Sequence, residues 1–167
     1  MEGKRISESA IIMAQLMNPE DANPAGNVHG GAIMKLIDNA AACAAARHAR
    51  SNVVTASIDR LDFYNPVFVG DLVTIKASLN FVGNTSMELG VRVEAENLIT
   101  GHIRHTASAY LTFVALDSNG RPSHLSPIII ETDEEKRRNQ QAKDRRITRL
   151  AKRTKEKQCQ VDLKCNM

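Results

Sequence analysis

The segment Asp21 to Ala46, DANPAGNVHGGAIMKLIDNAAACAAA, joins a glycine-rich turn to a long apolar run. Glycines at positions 26, 30 and 31 allow a tight turn, and an apolar run follows them from about Gly30 to His48. Alanine fills positions 40, 41, 42, 44, 45 and 46, and its small side chain lets a neighbouring element approach the backbone closely. The segment therefore predicts one long central helix, packed closely on all sides.

One ionisable side chain, that of Asp38, lies among the apolar residues of this helix. A carboxylate is costly to remove from water unless it has a partner or a function. Asp38 is therefore a candidate catalytic residue, and the alternative is that it faces solvent and has no role. The first backbone amides of the helix, at Gly30 and Gly31, lie at the positive end of the helix dipole and are candidate donors to a polarised carbonyl.

The length of 167 residues predicts one domain with a sufficient core and no need for disulfides. The N-terminus, MEGKRISESA, has no apolar signal region, and no run approaches the roughly 18 apolar residues of a membrane span. We therefore expect a soluble cytoplasmic protein without a membrane partner. The three cysteines, Cys43, Cys159 and Cys165, lack metal-ligand spacing, so we predict free thiols and no bound metal.

Charge is unevenly distributed along the chain. Residues 132–167 carry a net charge of +6 and residues 1–131 a net charge of −3. Turn-forming residues from Asp117 to Pro127 predict a boundary between a domain over residues 1–130 and a basic extension over residues 131–167. We expect the extension to be helical or partly disordered, to have no apolar stripe for docking, and to be dispensable for any chemistry.

Strands are predicted on both sides of the helix. The apolar run Ser9 to Met17 predicts a first strand, and alternating or β-branched segments predict four more. These four cover residues 52–63, 71–81, 87–95 and 102–116. One long helix followed by four strands joined mostly by short turns favours an α+β fold, with one antiparallel sheet of about five strands wrapped around the helix.

Five short motifs, in this order, resemble those of the hotdog-fold acyl-CoA thioesterases, the bacterial and mitochondrial acyl-CoA hydrolase family. They are Asp21-Ala22-Asn23-Pro24, Gly26-Asn27-Val28-His29-Gly30-Gly31, Asp38, Phe63 to Val67 with Val69-Gly70-Asp71, and Gly83-Asn84-Thr85-Ser86. The resemblance covers roughly residues 5–130 and leaves out the basic extension. It implies a hotdog fold and hydrolysis of fatty acyl-CoA to a free fatty acid and CoA, as part of fatty acid metabolism.

The resemblance also implies roles for individual residues. Asp38 matches the catalytic carboxylate of the family, and Asn23 and Thr55 are similar to its other catalytic positions. The turn from Gly83 through Asn84 and Thr85 to Ser86 resembles the element that contacts CoA. CoA enters as part of the substrate, so the resemblance implies no separate cofactor, and it implies a dimer assembled further into a hexamer.

A shared site follows from helix geometry. Thioester hydrolysis needs a base or nucleophile, groups that hold water, and donors to the carbonyl oxygen. Asp38 is suited to the first role, Asn23 and Thr55 to the second, and the N–H of Gly31 or Gly30 to the third. Gly31 and Asp38 are separated by about 10 Å along the helix, so one carbonyl cannot reach both. A two-fold axis between antiparallel helices would unite Asp38 of one chain with Gly31 of its partner.

Other interpretations of these features remain open at this stage. Asn23 precedes Pro24 and is also suited to a simple turn, and Gly83 to Ser86 is suited to an ordinary hairpin. A histidine before Gly-Gly typically fixes a loop by a backbone hydrogen bond, so we expect a supporting role for His29. His102, His105 and His124 share no ligand spacing and are predicted to be structural or surface residues.

Two other functions compete with hydrolysis. The first is a hotdog dimer that binds acyl-CoA without cleaving it and whose basic tail contacts nucleic acid. Residues 114–167 contain no aromatic residue to stack on bases, so nucleic acid is not the expected partner. The second competing function is that of a hotdog hydratase or dehydratase. It would need a histidine paired with the helix carboxylate, and His48 lies about 15 Å along the helix from Asp38.

Overall fold

The structure, a computed structural model, describes the backbone of residues 2–165 and the side chains of those residues except 157 and 159–165. Cys43 is a free, exposed thiol, as predicted. The predictions for the side chains of Cys159 and Cys165 lie outside the described residues. Neither α-helix in the described part of the chain combines the length and apolar character that crossing a membrane requires.

A five-stranded antiparallel sheet packs against one central helix, which confirms the predicted α+β class. The elements are β1 (Lys4–Arg5), β2 (Ile11–Leu16), α1 (Gly30–Ala49), β3 (Asn52–Phe63), β4 (Asp71–Val82), β5 (Ser86–Asn97), β6 (Ile103–Leu116), β7 (Ile128–Ile129) and α2 (Asp133–Cys165). The sheet order is β2-β4-β5-β6-β3, so β3 forms one edge. The short parallel pair of β1 with β7 was not predicted from the sequence.

The alanines of α1 meet the sheet, as their size predicts. Ala40, Ala41, Ala44 and Ala45 are fully buried against strands from both halves of the sheet. The expectation of close packing on all sides is wrong for the single protomer. A stripe along the opposite side of α1 is exposed; it consists of Gly31, Met34, Lys35, Asn39, Cys43 and Arg47. The helix is amphipathic, and its exposed stripe lies on the side away from the sheet.

The C-terminal helix α2 docks on the outer face of the sheet, where the sequence predicted no docking surface. Asn139 Nδ2 donates to the backbone oxygen of Asn80 at 2.8 Å, and both side chains are buried. Arg145 Nη2 donates to Glu88 Oε1 at 2.7 Å, and the Glu88 side chain is only 3% exposed. The expectation failed because α2 docks through polar and charged groups rather than through an apolar stripe.

His48, near the end of α1, is a buried structural residue. Its Nε2 lies 2.8 Å from the backbone oxygen of Ser126, and its own backbone oxygen accepts from Lys4 Nζ at 2.6 Å. The Nδ1 atom is buried without a hydrogen-bond partner among the described residues. Burial lowers the pKa of His48 from its ordinary value of 6.5, and the hydrogen bond to Ser126 partly opposes this change. The folded protein therefore favours the neutral ring.

We expect this lowered pKa to make stability fall in mild acid. The unfolded chain binds a proton at His48 more readily than the folded chain, so the free energy of unfolding decreases as pH drops below about 6.5. The decrease ends below the folded pKa, where both states are protonated. Urea unfolding at about pH 7.5 and about pH 5.5 should show a larger loss for the wild type than for His48→Gln. Equal losses in the two proteins would contradict this account.

Candidate active site

Asp38 and Thr55 form a hydrogen-bonded pair between the central helix and the edge strand. Thr55 Oγ1 donates to Asp38 Oδ1 at 2.8 Å. Asp38 is half-buried on α1 and Thr55 is exposed on β3, so the carboxylate is open to solvent in the single protomer. The pair holds one carboxylate oxygen in place while the other remains available. The structure thus unites two residues that the sequence predicted as catalytic and that lie 17 positions apart.

Asn23 lies in the loop before α1, and its side-chain amide has a defined orientation. Asn23 Oδ1 accepts from the backbone N–H of Ala25 at 2.9 Å and of Asn27 at 3.3 Å. Because the oxygen is engaged by two donors, the Nδ2 group faces away from them with its hydrogens available. Asn23 is therefore both a turn former, the simpler alternative, and a donor open to a ligand.

A cavity of about 330 Å³ opens beside this loop. It is lined by Asn23, Asn27, Val28, Gly30, Ile33 and the segment from Phe63 to Val67. The cavity walls are held together by a backbone hydrogen bond of 2.8 Å from Val28 N–H to Val67 O. Its volume falls within the usual range for small-molecule sites.

Asp71, from the Val-Gly-Asp motif, holds the far end of the segment that lines this cavity. Asp71 Oδ2 accepts from the backbone N–H of Phe68 at 2.8 Å and from Arg104 Nη2 at 2.5 Å. The Asp71 side chain is 3% exposed, so its charge is both buried and paired. The motif thus has a structural role, which explains its presence beside the cavity.

His29 caps the start of α1, which confirms its predicted supporting role. Its Nδ1 accepts from the backbone N–H of Gly31 at 2.9 Å. The Gly31 N–H is consequently not available to a substrate carbonyl in this conformation. Gly30, the first residue of the helix, lines the cavity, and its N–H donates to no acceptor in the described chain. Gly30, named with Gly31 as an alternative, is the better-supported donor.

The candidate residues therefore lie in two separate groups within one protomer. Asn23 and Gly30 line the cavity, whereas Asp38 and Thr55 lie outside its lining. Gly30 and Asp38 are about 12 Å apart along α1. A single chain carries two half-sites rather than one complete site.

The edge strand β3 exposes three large apolar side chains. Val54, Ile58 and Phe63 on β3 are 43%, 42% and 51% exposed, and β3 has a free edge in the sheet. Exposed apolar strand edges pair readily with another chain. The half-site that contains Thr55 thus lies on a surface suited to a partner subunit.

The Gly83 to Ser86 turn is a tight hairpin between β4 and β5, as predicted. Gly83 N–H donates to Ser86 O at 2.8 Å. His124 Nδ1 lies 2.5 Å from Asn84 Oδ1, and Leu125 N–H donates to Asn84 O at 2.9 Å. The role of His124 in supporting this turn was missed, because nothing in the sequence relates it to a residue 40 positions away. Contact of this turn with CoA stays a prediction.

A larger groove of about 510 Å³ lies under α2 on the outer face of the sheet. Its cations include Lys76, Arg92 and Arg145, and each is paired with a carboxylate. Hydrogen bonds from Lys76 and Arg92 lower the pKa of Glu94, so this carboxyl stays charged. The groove contains none of the candidate catalytic residues, and Lys76 and Arg92 share the single carboxylate of Glu94.

Comparison with known proteins identifies relatives along most of the chain. The family model described as thioesterase superfamily matches residues 25–101. An uncharacterized acyl-CoA thioester hydrolase of Bacillus subtilis is 40% identical over 134 residues, which cover 80% of this chain and 78% of the relative. The cytosolic acyl coenzyme A thioester hydrolase of Mus musculus is 36% identical over 154 residues, 91% of this chain. The chain spans only 40% of the length of that mammalian relative.

Solved structures share the fold. An apo-hexameric acyl-CoA thioesterase is 38% identical with a TM-score of 0.88, covering 91% of this chain and 97% of that chain. The acyl-CoA hydrolase of Staphylococcus aureus, in complex with butyryl-CoA, CoA and CoA disulfide, is 36% identical with a TM-score of 0.87, covering 96% and 98%. Alanine variants of that enzyme, at one aspartate, one asparagine and one threonine, have also been solved. These three residues have the same spacing along the chain as Asp38, Asn23 and Thr55 here.

Proposed function

Because the chain belongs to the acyl-CoA thioester hydrolase family of the thioesterase superfamily, we propose that it hydrolyses the thioester of a fatty acyl-CoA. The products are a free fatty acid and CoA. The hydrogen bond of Thr55 to Asp38 is the observation that carries this proposal, since it fixes a solvent-accessible carboxylate on the central helix. The matching spacing of the residues altered in the S. aureus enzyme supports the same assignment.

In the proposed reaction, Asp38 supplies the negative oxygen. In one route it takes a proton from a water molecule that attacks the thioester carbonyl carbon, the C–S bond breaks, and the proton passes to the departing CoA sulfur. In the other route Asp38 attacks that carbon itself and displaces CoA, and a water molecule then hydrolyses the acyl–Asp38 anhydride to the free acid and the free carboxylate. Thr55 orients the carboxylate through its hydroxyl group. Fixing the reacting groups in advance lowers the entropic part of the barrier.

The half-site that contains Asn23 and Gly30 supplies the hydrogen-bond donors to the substrate. The Gly30 N–H, at the positive end of α1, is placed to stabilise negative charge on the carbonyl oxygen. Asn23 lines the same cavity, and we assign to its Nδ2 group the role of holding the water or the carbonyl. Gly31 contributes once His29 turns away from its N–H, because the two are hydrogen-bonded in this conformation.

Assembly completes this site. We propose a dimer in which Asp38 and Thr55 of one chain face Asn23 and Gly30 of the partner, because these groups are separate within one protomer. Three such dimers form a hexamer, a proposal supported by the hexameric relative. The exposed apolar residues of β3 are suited to the contact between the two chains.

The proposal requires no metal and no cofactor, since CoA is part of the substrate. We propose that the Gly83 to Ser86 turn contacts CoA, on the basis of its resemblance to the family element and its rigid support from His124 and Leu125. A cytoplasmic location is proposed from the cytosolic mammalian relative. A hydratase mechanism is disfavoured because His48, the histidine on α1, is buried against Ser126.

The test is release of free CoA thiol from acyl-CoA substrates of short, medium and long chain length. We expect the wild type to hydrolyse at least one class with saturation kinetics, and the matched variant Asp38→Asn to be nearly inactive. Calorimetric titration with a non-hydrolysable acyl-CoA analogue should run beside it. Tight binding without release of thiol at any chain length would instead identify a sensor that binds acyl-CoA without cleaving it.

A further inference from the structure

The edge strand β3 changes the face of its side chains directly after Thr55. Thr55 pairs with Phe113, which is buried in the core beneath α1, whereas Ser57 pairs with Thr112 on the opposite face. Ala56 is the extra residue between these pairs, and a second register shift lies between Ile58 and Arg60. Such bulges redirect side chains and often occur beside active sites. The first bulge is therefore what leaves Thr55 on the helix side, facing Asp38.

The Asp59 carboxylate accepts three hydrogen bonds on the outer face of the sheet, and these stabilise the segment of β3 that contains the two bulges. Its Oδ1 accepts from Ser57 Oγ at 2.9 Å, and its Oδ2 accepts from Thr112 Oγ1 at 3.0 Å. The third donor is the Nη1 group of Arg149 in α2. The carboxylate thus links both bulges of β3 to the neighbouring strand and to the C-terminal helix.

Arg149 reaches Asp59 because α2 is fixed to the sheet along one helical face. Asn139, Ala142, Arg145 and Arg149 recur at intervals of three and four residues, so they share one side of the helix. The side chains of the Arg149 and Asp59 pair are 25% and 13% exposed. Because the pair is partly shielded from water, removing Arg149 leaves the Asp59 carboxylate poorly solvated and without its cation.

We propose that Arg149 and Asp59 are positioning residues for catalysis, which hold the bulge that orients Thr55 towards Asp38. The inference rests on the proposed thioesterase activity. The basic extension is then part of the catalytic apparatus. The expectation that the chain keeps its kcat when truncated after Ile130 loses its basis, because that expectation assumed a tail without docking contacts.

Removing the pair should affect turnover more than substrate binding. We expect Arg149→Met to lower kcat by about 10-fold with KM changed less than about 2-fold, since a small displacement of Thr55 is costly to catalysis. Arg149→Lys, which keeps the charge, should recover part of the loss. Arg146→Met is the matched control: Arg146 lies over the Phe81 ring on the same helix, 5.6 Å from its centroid, and this variant should keep the wild-type kcat.

A double-mutant cycle with Thr55→Ala separates positioning from general damage. If Arg149 acts through Thr55, Arg149→Met should lower kcat in the wild-type background and have almost no effect in the Thr55→Ala background. The same fold-loss in both backgrounds would overturn the proposal. Asp59→Asn, which keeps the side-chain shape, provides a second cycle should Arg149→Met fail to fold. An inactive wild type would instead refute the proposed hydrolase function, so the two failures are distinguishable.

Discussion

The Asp38→Asn variant is expected to lose at least roughly 100-fold in kcat, the usual scale for removing a general base. Asparagine keeps the shape of the side chain, and its Oδ1 still accepts from Thr55 Oγ1, so the hydrogen bond observed at 2.8 Å remains possible. The substitution removes the negative charge and replaces one carboxylate oxygen by an NH₂ group, which cannot act as a base or a nucleophile. Because α1 keeps its buried alanine contacts, the variant should fold and assemble like the wild type.

The measurement is steady-state release of CoA thiol, with size-exclusion chromatography and thermal unfolding to monitor assembly and folding. Glu20→Gln is the matched control, since it removes one negative charge from an exposed residue of the loop before α1. It should retain the wild-type kcat. If Asp38→Asn keeps most of its activity in an intact oligomer, Asp38 is not the catalytic carboxylate.

The elements around the site were predictable because their side-chain periods are regular. Alternation along β4 and β5 follows from one face packing on α1, and the alanine run of α1 follows from its close contact with that face. The predicted strand over residues 52–63 is observed as β3 with the same bounds. Its loose alternation has a physical cause, since two bulges shift the pattern. The family resemblance identified Asp38 and Thr55 as candidate catalytic residues, but it grouped Thr55 with Asn23, and the hydrogen bond of Thr55 to Asp38 was not predicted.

Other features depend on contacts between distant residues that no local pattern contains. The docking face of α2 consists largely of Asn139, Arg145 and Arg149, which in sequence resemble an ordinary solvated surface. Their partners Asn80, Glu88 and Asp59 are supplied by the sheet. A backbone hydrogen bond of His29 was expected, but the sequence did not indicate that Gly31, a candidate donor to the substrate, would supply the N–H for it. Sequence patterns therefore predict well which apolar side chains are buried, but they predict poorly which residues a polar side chain contacts.

The shared site predicts a large recovery of activity when two inactive variants are combined. Thr55 pairs with Asp38 within one chain, whereas the Asn23 half-site is proposed to come from the partner. In a mixed dimer of Asp38→Ala and Asn23→Ala chains, both lesions fall in one site and the other site is wild type. At equal ratio half of the dimers are mixed, so activity should rise to about a quarter of the wild-type value.

A matched pair of variants makes this test specific. Asp38→Ala mixed with Thr55→Ala places one lesion in every site, because both residues belong to the same half-site. That mixture should show only the average activity of its two parents.

The most direct measurement of the shared active site is therefore CoA thiol release from co-expressed or co-refolded mixtures of these variants. The two-chain site predicts about a quarter of wild-type activity for Asp38→Ala with Asn23→Ala, and only the parental average for Asp38→Ala with Thr55→Ala. Parental-average activity in both mixtures, with exchange of subunits verified by mass spectrometry, would assign Asp38 and Asn23 to one chain and contradict the shared site.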